Sequence, residues 1–377
     1  MLTLIFGRKT AMKRLLVLLP VLLTLFPLGA AAQTSAGWKQ SWDETLAAAR
    51  EEGKVVVAGP PSQELRRTLP AAFKARYGIT IEYAGGRSTE LAPRLRTERQ
   101  SGIHSLDVVF AGNESMALVF HREKMLQPLR PALQLPDVVD GSKWKKGKLW
   151  FGDPEDRYIL RLANTVTTMF HINTKEVKPG ELRSVKDLLN PKWKGKIALQ
   201  DPTTTGSGSN QAAHLYYQHG EDFVKALYID QKPAILRDTR QITDGLARGA
   251  YPITLGAEDA DVVKLKREGI PVEILENLTD LYSQVSAAFG QVALIDKAPH
   301  PNAAKVFVNW IASKEGSEVF NRAMGTAPTR NDIDESFLPP QIIPKPGVQY
   351  FDTYDWEFTT VKKAKVRQRM KELLQAR

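Results

Sequence analysis

Between Val55 and Phe110, three short apolar runs alternate with amphipathic stretches, and few folds accept that rhythm. Val55-Val56-Val57, residues 79–83 and residues 106–110 are rich in β-branched and aromatic side chains and are too short for buried helices. Residues 65–77 and 90–100, lying between them, predict helices. Ahead of them, Trp42, Leu46 and Ala49 recur at helical spacing, predicting a helix over 38–52 that Gly53 stops. Strands that alternate with covering helices predict a parallel sheet buried on both faces.

The rhythm breaks and then restarts. Residues 128–152 are rich in Pro, Lys and Trp and read as irregular, while the alternating run 158–172 predicts one long strand. A short helix at 185–189 and a strand at 196–199 follow. Helices at 210–219, 221–227, 238–247 and 259–268, with strands at 253–255 and 272–275, build a second α/β unit. A further strand is expected at 286–295, helices at 301–313 and 315–324, and a basic terminal helix at 359–376. The fold class is therefore α/β, in two units, each a mostly parallel sheet flanked by helices.

The first 32 residues form a separate segment. Lys13 and Arg14 precede a short apolar run broken by Pro20 and Pro27, and Ala30-Ala31-Ala32 offers a small-residue cleavage site. That order describes a secretory leader, with Met12 as an alternative start. The run falls short of the roughly 20 apolar residues that a membrane span needs. The chain has no Cys, which suits an exported protein and removes thiol catalysis and Cys-based metal sites. The net charge of +10 falls to +6 once Arg8, Lys9, Lys13 and Arg14 are cut away. The remaining basic residues are scattered apart from the terminal helix, without interleaved aromatic platforms, so nucleic acid is not the expected partner.

The sequence contains no Gly-x-Ser-x-Gly elbow, Walker loop, Rossmann glycine fingerprint or His-Glu-x-x-His. His214 and His219 stand five apart on a helix and diverge, so no metal ligation is expected of them. The loops after the strands are more informative, because ligands of open α/β sheets bind at the carboxyl ends of strands. Ser62 follows the first strand, Arg87 and Ser88 the second, and Asn113 and Ser115 the third. Thr203, Thr204, Thr205, Ser207 and Ser209 follow the first strand of the second unit. Free amides at the starts of the following helices accept anions. Ser62, Ser88, Ser115 and Ser209 serve equally as ordinary N-caps. Arg87, on a Gly-Gly loop, can clamp a carboxylate or phosphate, or can pair with Glu90 along its helix. Glu258, Asp259 and Asp261 can cap a helix start.

Several segments carry a family resemblance. Leu106-Asp107-Val108-Val109-Phe110, Thr168-Met169-Phe170-His171-Ile172-Asn173-Thr174 and, most specifically, the run from Leu188 to Ala198, LLNPKWKGKIA, resemble the type II periplasmic solute-binding proteins of ABC importers. The loop from Asp201-Pro202 onward, Ala298 to Lys305 and Ser313-Lys314-Glu315-Gly316 extend the likeness over about 38–330. The branch is that of ferric-iron, thiamine, phosphonate and phosphosugar receptors.

The resemblance implies two lobes joined by two crossing strands and closing on a solute. Residues 33–165 with 286–377 would form one lobe and 166–285 the other. The protein would act in the periplasm as a monomer without cofactor, and would deliver its small-molecule ligand to an ABC permease in the inner membrane. Ser62, Arg87, Ser88 and Asn113 would contact the ligand from one lobe, and Thr204, Thr205, Ser207 and Glu258 from the other. Ferric-iron members present adjacent tyrosines after the strand that here holds Ile253-Thr254-Leu255, whereas this chain has Gly256-Ala257-Glu258-Asp259. Tyr216-Tyr217 falls within a predicted helix, where neighbours diverge by about 100°. A small anion fits best. Ferric iron, a polyamine, an acid/base hydrolase using Glu114 and Glu258, and a sensor subunit are the rival readings.

Overall fold

The computed structural model describes residues 35–86, 88–276 and 278–376. The leader read at 1–32 and the candidate Arg87 lie outside the described residues. In chain order the opening run is α1 (Ser35–Glu52), β1 (Lys54–Gly59), α2 (Gln63–Tyr77), β2 (Thr80–Gly85), α3 (Ser88–Gln100), β3 (Val108–Ala111) and the single turn α4 (Asn113–Ser115). Next come β4 (Leu126–Gln127), the turn α5 (Pro136–Val139), β5 (Leu160–Arg161), β6 (Thr165–Thr167), β7 (Phe170–Asn173) and β8 (Ile197–Gln200). They are followed by α6 (Ser207–Lys225), β9 (Ala234–Leu236), α7 (Thr239–Ala247), β10 (Ile253–Leu255), α8 (Asp259–Arg267) and β11 (Val272–Leu275). The chain closes with β12 (Gln284–Ser286), β13 (Gln291–Ile295), α9 (Pro301–Ala312), α10 (Lys314–Met324), β14 (Phe351–Asp352) and α11 (Lys363–Gln375).

The first sheet runs β2-β1-β3-β13-β4, with β5 also pairing with β13. β2, β1 and β3 are parallel and β13 is antiparallel to β3. Its interior is aromatic. Phe73 of α2 meets Phe307 and Trp310 of α9 at 5.5 and 5.2 Å, and Phe110 of β3 stacks on Phe320 of α10 at 5.1 Å. All five rings are buried, and truncating any of them to Ala would cost about 3–5 kcal/mol.

The second sheet runs β11-β7-β10-β8-β9. β9, β8 and β10 are parallel to one another and β7 is antiparallel to β10. Its core gathers Phe170, Trp193, Leu199, Leu215 and Tyr228, with Phe358, Val366 and Met370 from the end of the chain. Among the described residues no helix is long and apolar enough to cross a membrane.

A third, small sheet, β14-β12-β6, joins the two units. β6 and β12 pair antiparallel, Val166 opposite Val285. The expected single strand 158–172 is in fact three strands, because the chain leaves the first sheet after Arg161, crosses in β6, and enters the second sheet at Phe170. The expected strand 286–295 likewise breaks into β12 and β13. Ala288 there takes a left-handed φ of 48°, and a Cβ on Gly290 would fall 2.7 Å from the Ala163 Cβ. Hydrophobic pattern alone does not reveal a strand that changes sheets.

The terminal segment departs from the expected grouping of 286–377 with the first unit. α9 packs in the first core, but the apolar face of α11 lies on α6 and joins the second core.

Candidate functional site

The strand ends define where a ligand would sit. β7 enters the second sheet at Phe170, opposite Leu255, the last residue of β10. β13 enters the first sheet at Gln291, opposite Ala111, the last residue of β3. Both crossing segments therefore meet their sheets at the carboxyl ends of the parallel strands. Open α/β sheets bind ligands at the carboxyl ends of their strands, so the loops there are the candidate positions on each unit.

On the second lobe, close packing builds the wall. Gly256, just past β10, has φ +101°, and a Cβ there would stand 2.7 Å from the Gln200 Cβ at the end of β8. Only glycine fits so close a contact with such a backbone. The Gln200 side chain accepts a hydrogen bond from the Ser207 hydroxyl, which holds the start of α6. Asp201, buried, accepts from the Thr203 amide at 2.8 Å and its hydroxyl at 2.6 Å through one oxygen, and from Arg237 Nε at 3.0 Å through the other. Burial alone would raise the Asp201 carboxyl. The Thr203 hydroxyl and amide and the Arg237 guanidinium outweigh it and hold the group below the ordinary carboxylate range. Thr204, Thr205 and Ser207 are exposed on this turn, and Gly206 holds the N-cap position of α6, which kinks at Gly220 (φ 84°) and whose first-turn amides have no carbonyl a turn earlier.

Glu258 occupies the N-cap position of α8 but makes no capping bond with its side chain. The residue as a whole is exposed, yet the carboxyl is crowded from water. That loss of hydration first, then Asp259 and Asp261, raises it above the usual value. Asp259 ties the wall to the crossing strand. One of its oxygens accepts from the Thr168 hydroxyl at 2.7 Å and lies 2.7 Å from His171 Nε2.

On the first lobe, Ser62 accepts from the Leu65 amide at 3.2 Å, as an N-cap does. Ser88 opens α3. The Tyr83 hydroxyl donates to Pro60 O at 2.7 Å and the Gly86 amide to Gly59 O at 2.9 Å, so the first two loops are braced against each other. Asn113 is buried, and its amide nitrogen donates to Thr353 O at 3.1 Å and to the Thr359 hydroxyl. Glu114 is held by Lys363 at 3.1 Å and Arg367 at 2.7 Å. Both of its carboxylate oxygens are taken up by these cations, which counts against its part in the hydrolase reading.

The structure thus gathers Thr204, Thr205, Ser207 and Glu258 on one wall and Ser62 and Ser88 at the ends of β1 and β2. Asn113 is engaged by the terminal segment. Arg237 was missed from sequence because β9 is only three residues long and escaped notice. Its signal is an arginine directly after Ala234-Ile235-Leu236. A separate 220 Å³ cavity flanks the crossing strands, lined in part by Val166, Phe170, Leu278, Tyr282 and Tyr350. It includes none of the residues nominated above. Among the described residues no group of three or more His, Asp or Glu is placed to hold a metal ion.

Two α/β units joined by two antiparallel crossing strands have the fold of the type II periplasmic binding proteins. The chain belongs to the family of bacterial extracellular solute-binding proteins, whose pattern matches residues 68–349. It is similar to an uncharacterized protein of Haemophilus influenzae (strain ATCC 51907 / DSM 11121 / KW20 / Rd), 24% identical over 285 residues that cover 72% of this chain and 76% of that protein. The periplasmic binding protein AfuA from Actinobacillus pleuropneumoniae, solved with exogenous fructose-6-phosphate bound, shares its fold with a TM-score of 0.63 at 18% identity, covering 86% of this chain and all (100%) of that one. The Trichodesmium protein IdiA (FutA), solved with iron and citrate, gives a TM-score of 0.65 at 18% identity, covering 85% of this chain and 99% of that one.

Proposed function

We propose that this protein captures a small anionic solute between its lobes in the periplasm and passes it unaltered to the membrane permease of an ABC importer. The observation that supports this reading is that both crossing segments meet their sheets at the carboxyl ends of the parallel strands. The residues assigned to the ligand are Ser62, Arg87 and Ser88 on the first lobe and Thr204, Thr205, Ser207 and Glu258 on the second, while Asn113, expected among them, is already bonded to Thr353 and Thr359. The lobes, 33–165 with 286–350 and 166–285 with the terminal helix, rotate about β6 and β12 as a monomer. Closure requires contacts from both sides, since a ligand shifts the balance only by its differential affinity for the closed form.

Anionic cargo is favoured by the amide-rich start of α6 and the hydroxyl-bearing turn before it. Two similar folds hold anions, fructose-6-phosphate in one and citrate beside iron in the other. Ferric iron carried with an anion is the second reading, and that citrate supports it.

Thermal unfolding against phosphates, carboxylates, amines and ferric salts tests both. A true ligand at 100 times its Kd adds about 2.7 kcal/mol of stability. Stabilisation by phosphorylated or carboxylated solutes alone supports the first reading, and stabilisation only when ferric salt is added supports the second. A response confined to amines, or conversion of the added solute, would overturn the proposal.

A further inference from the structure

Arg237 follows β9 at the same carboxyl-end level as Asp201, since Gln200 pairs with Leu236 and the Asp201 amide donates to Leu236 O at 2.8 Å. Its side chain is 82% exposed while that of Asp201 is 9% exposed. An exposed arginine is ordinarily free to swing. Here Nε is bonded to a carboxylate that the Thr203 amide and hydroxyl already hold in place. The guanidinium is therefore anchored through one nitrogen on a buried base, and its two terminal nitrogens donate to no group among the described residues. A Cβ on Gly208 would lie 2.4 Å from Asp201 O, so the start of α6 sits directly against the same aspartate.

We propose that Arg237 is the specificity-determining anion contact of the second lobe, presenting its free Nη pair to two oxygens of a phosphoryl or carboxylate group on the solute. This inference rests on the anionic reading above and adds to it a residue and a geometry. The planar fork matches two anionic oxygens at once, which an ammonium cannot do. Asp201 acts through Arg237 as a positioning residue, since it holds the guanidinium without meeting the ligand.

The test is calorimetric titration of the full mature chain with inorganic phosphate, fructose-6-phosphate and citrate, in wild type, Arg237→Ala, Arg237→Lys and Asp201→Asn. Loss of a charged hydrogen-bond pair predicts about tenfold to hundredfold weaker binding in Arg237→Ala. Arg237→Ala also takes a partner from the buried Asp201, so its melting temperature falls somewhat, and all titrations are run well below the melting temperature of the least stable variant. Arg237→Lys recovers only part of the loss, and Asp201→Asn falls between. A loss confined to fructose-6-phosphate and phosphate assigns a phosphoryl group, and a loss confined to citrate assigns a carboxylate. If wild type binds an anion and Arg237→Ala binds it equally well, this inference fails and the anionic reading stands. If wild type binds none of the three, both fail.

Discussion

Glu114, in the turn after β3 of the first lobe, is paired at 3.1 Å with Lys363, whose side chain is 2% exposed at the start of α11. The same ammonium donates to Asn210 Oδ1 near the start of α6 in the second lobe. One buried cation therefore joins both lobes at a point outside the crossing strands. Burial favours the neutral amine and lowers the Lys363 pKa, while Glu114 acts in the opposite direction.

Removing one partner of such a pair leaves an uncompensated buried charge, which costs about 3–5 kcal/mol. Glu114→Ala should therefore lower the urea midpoint strongly. Arg367, also on Glu114, makes the loss larger than for Lys363→Met, which removes the buried charge itself. Equal destabilisation by the two variants in urea melts would show that the charge is not the reason.

Gly256→Ala tests the wall of the site. The added methyl meets the Gln200 Cβ at 2.7 Å on a backbone of φ +101°. Strain of this kind costs about 1–3 kcal/mol, and relief requires β8 and β10 to separate where Gln200 holds Ser207. The expected outcome is a melting temperature lower by several degrees together with weaker binding of any anion that stabilises wild type. A variant as stable as wild type would mean that the loop carries no constraint.

Much of this was legible because local pattern and tertiary fate agree within a lobe. β10 and β11 fall at 253–255 and 272–275 as periodicity and flanking breakers predict, and α2 ends at Gly78 with φ 78°. Legibility fails where the chain changes sheets, as at 158–172 and 286–295, because alternation continues while the partner strand changes. It fails again at β9 and β14, which are too short to show a period and are held by neighbours distant in sequence. The partners of Asn113 and Glu114 lie beyond residue 350. No local reading of the loop after β3 could show that its polar groups are already committed. Ser62 and Glu258 were legible as residues at strand ends, though not how their polar atoms are used.

His214 sets an acid limit on stability. It is buried, stacks on Phe351 of β14 at 4.1 Å, and burial pushes its pKa down to about 3, with His219 adding to the depression. The unfolded chain takes up this proton near pH 6.5, so it binds more protons than the folded chain between about pH 6.5 and 3. Stability is complete above pH 6.5 and falls as the pH drops through that window, by at most about 1.4 kcal/mol per unit for this group. His219, whose pKa burial also lowers, contributes in the same direction. Denaturant midpoints at pH 7, 6 and 5 should fall steadily in wild type and less steeply in His214→Gln. Parallel slopes for the two proteins would refute the assignment.

Ser62 separates a capping role from a ligand role. Its hydroxyl oxygen accepts from the Leu65 amide at 3.2 Å, and among the described residues the hydroxyl donates to no group. Ser62→Ala should cost about 1 kcal/mol, the usual loss for a missing N-cap, whereas Ser62→Gly should cost only a few tenths because glycine is tolerated there. If the hydroxyl also holds the solute, both variants weaken binding by the same factor despite their different stabilities. If it is a cap alone, affinity follows neither substitution and only the unfolding midpoint of Ser62→Ala moves. Titration of both variants with an anion that stabilises wild type, alongside urea melts, decides between the two roles.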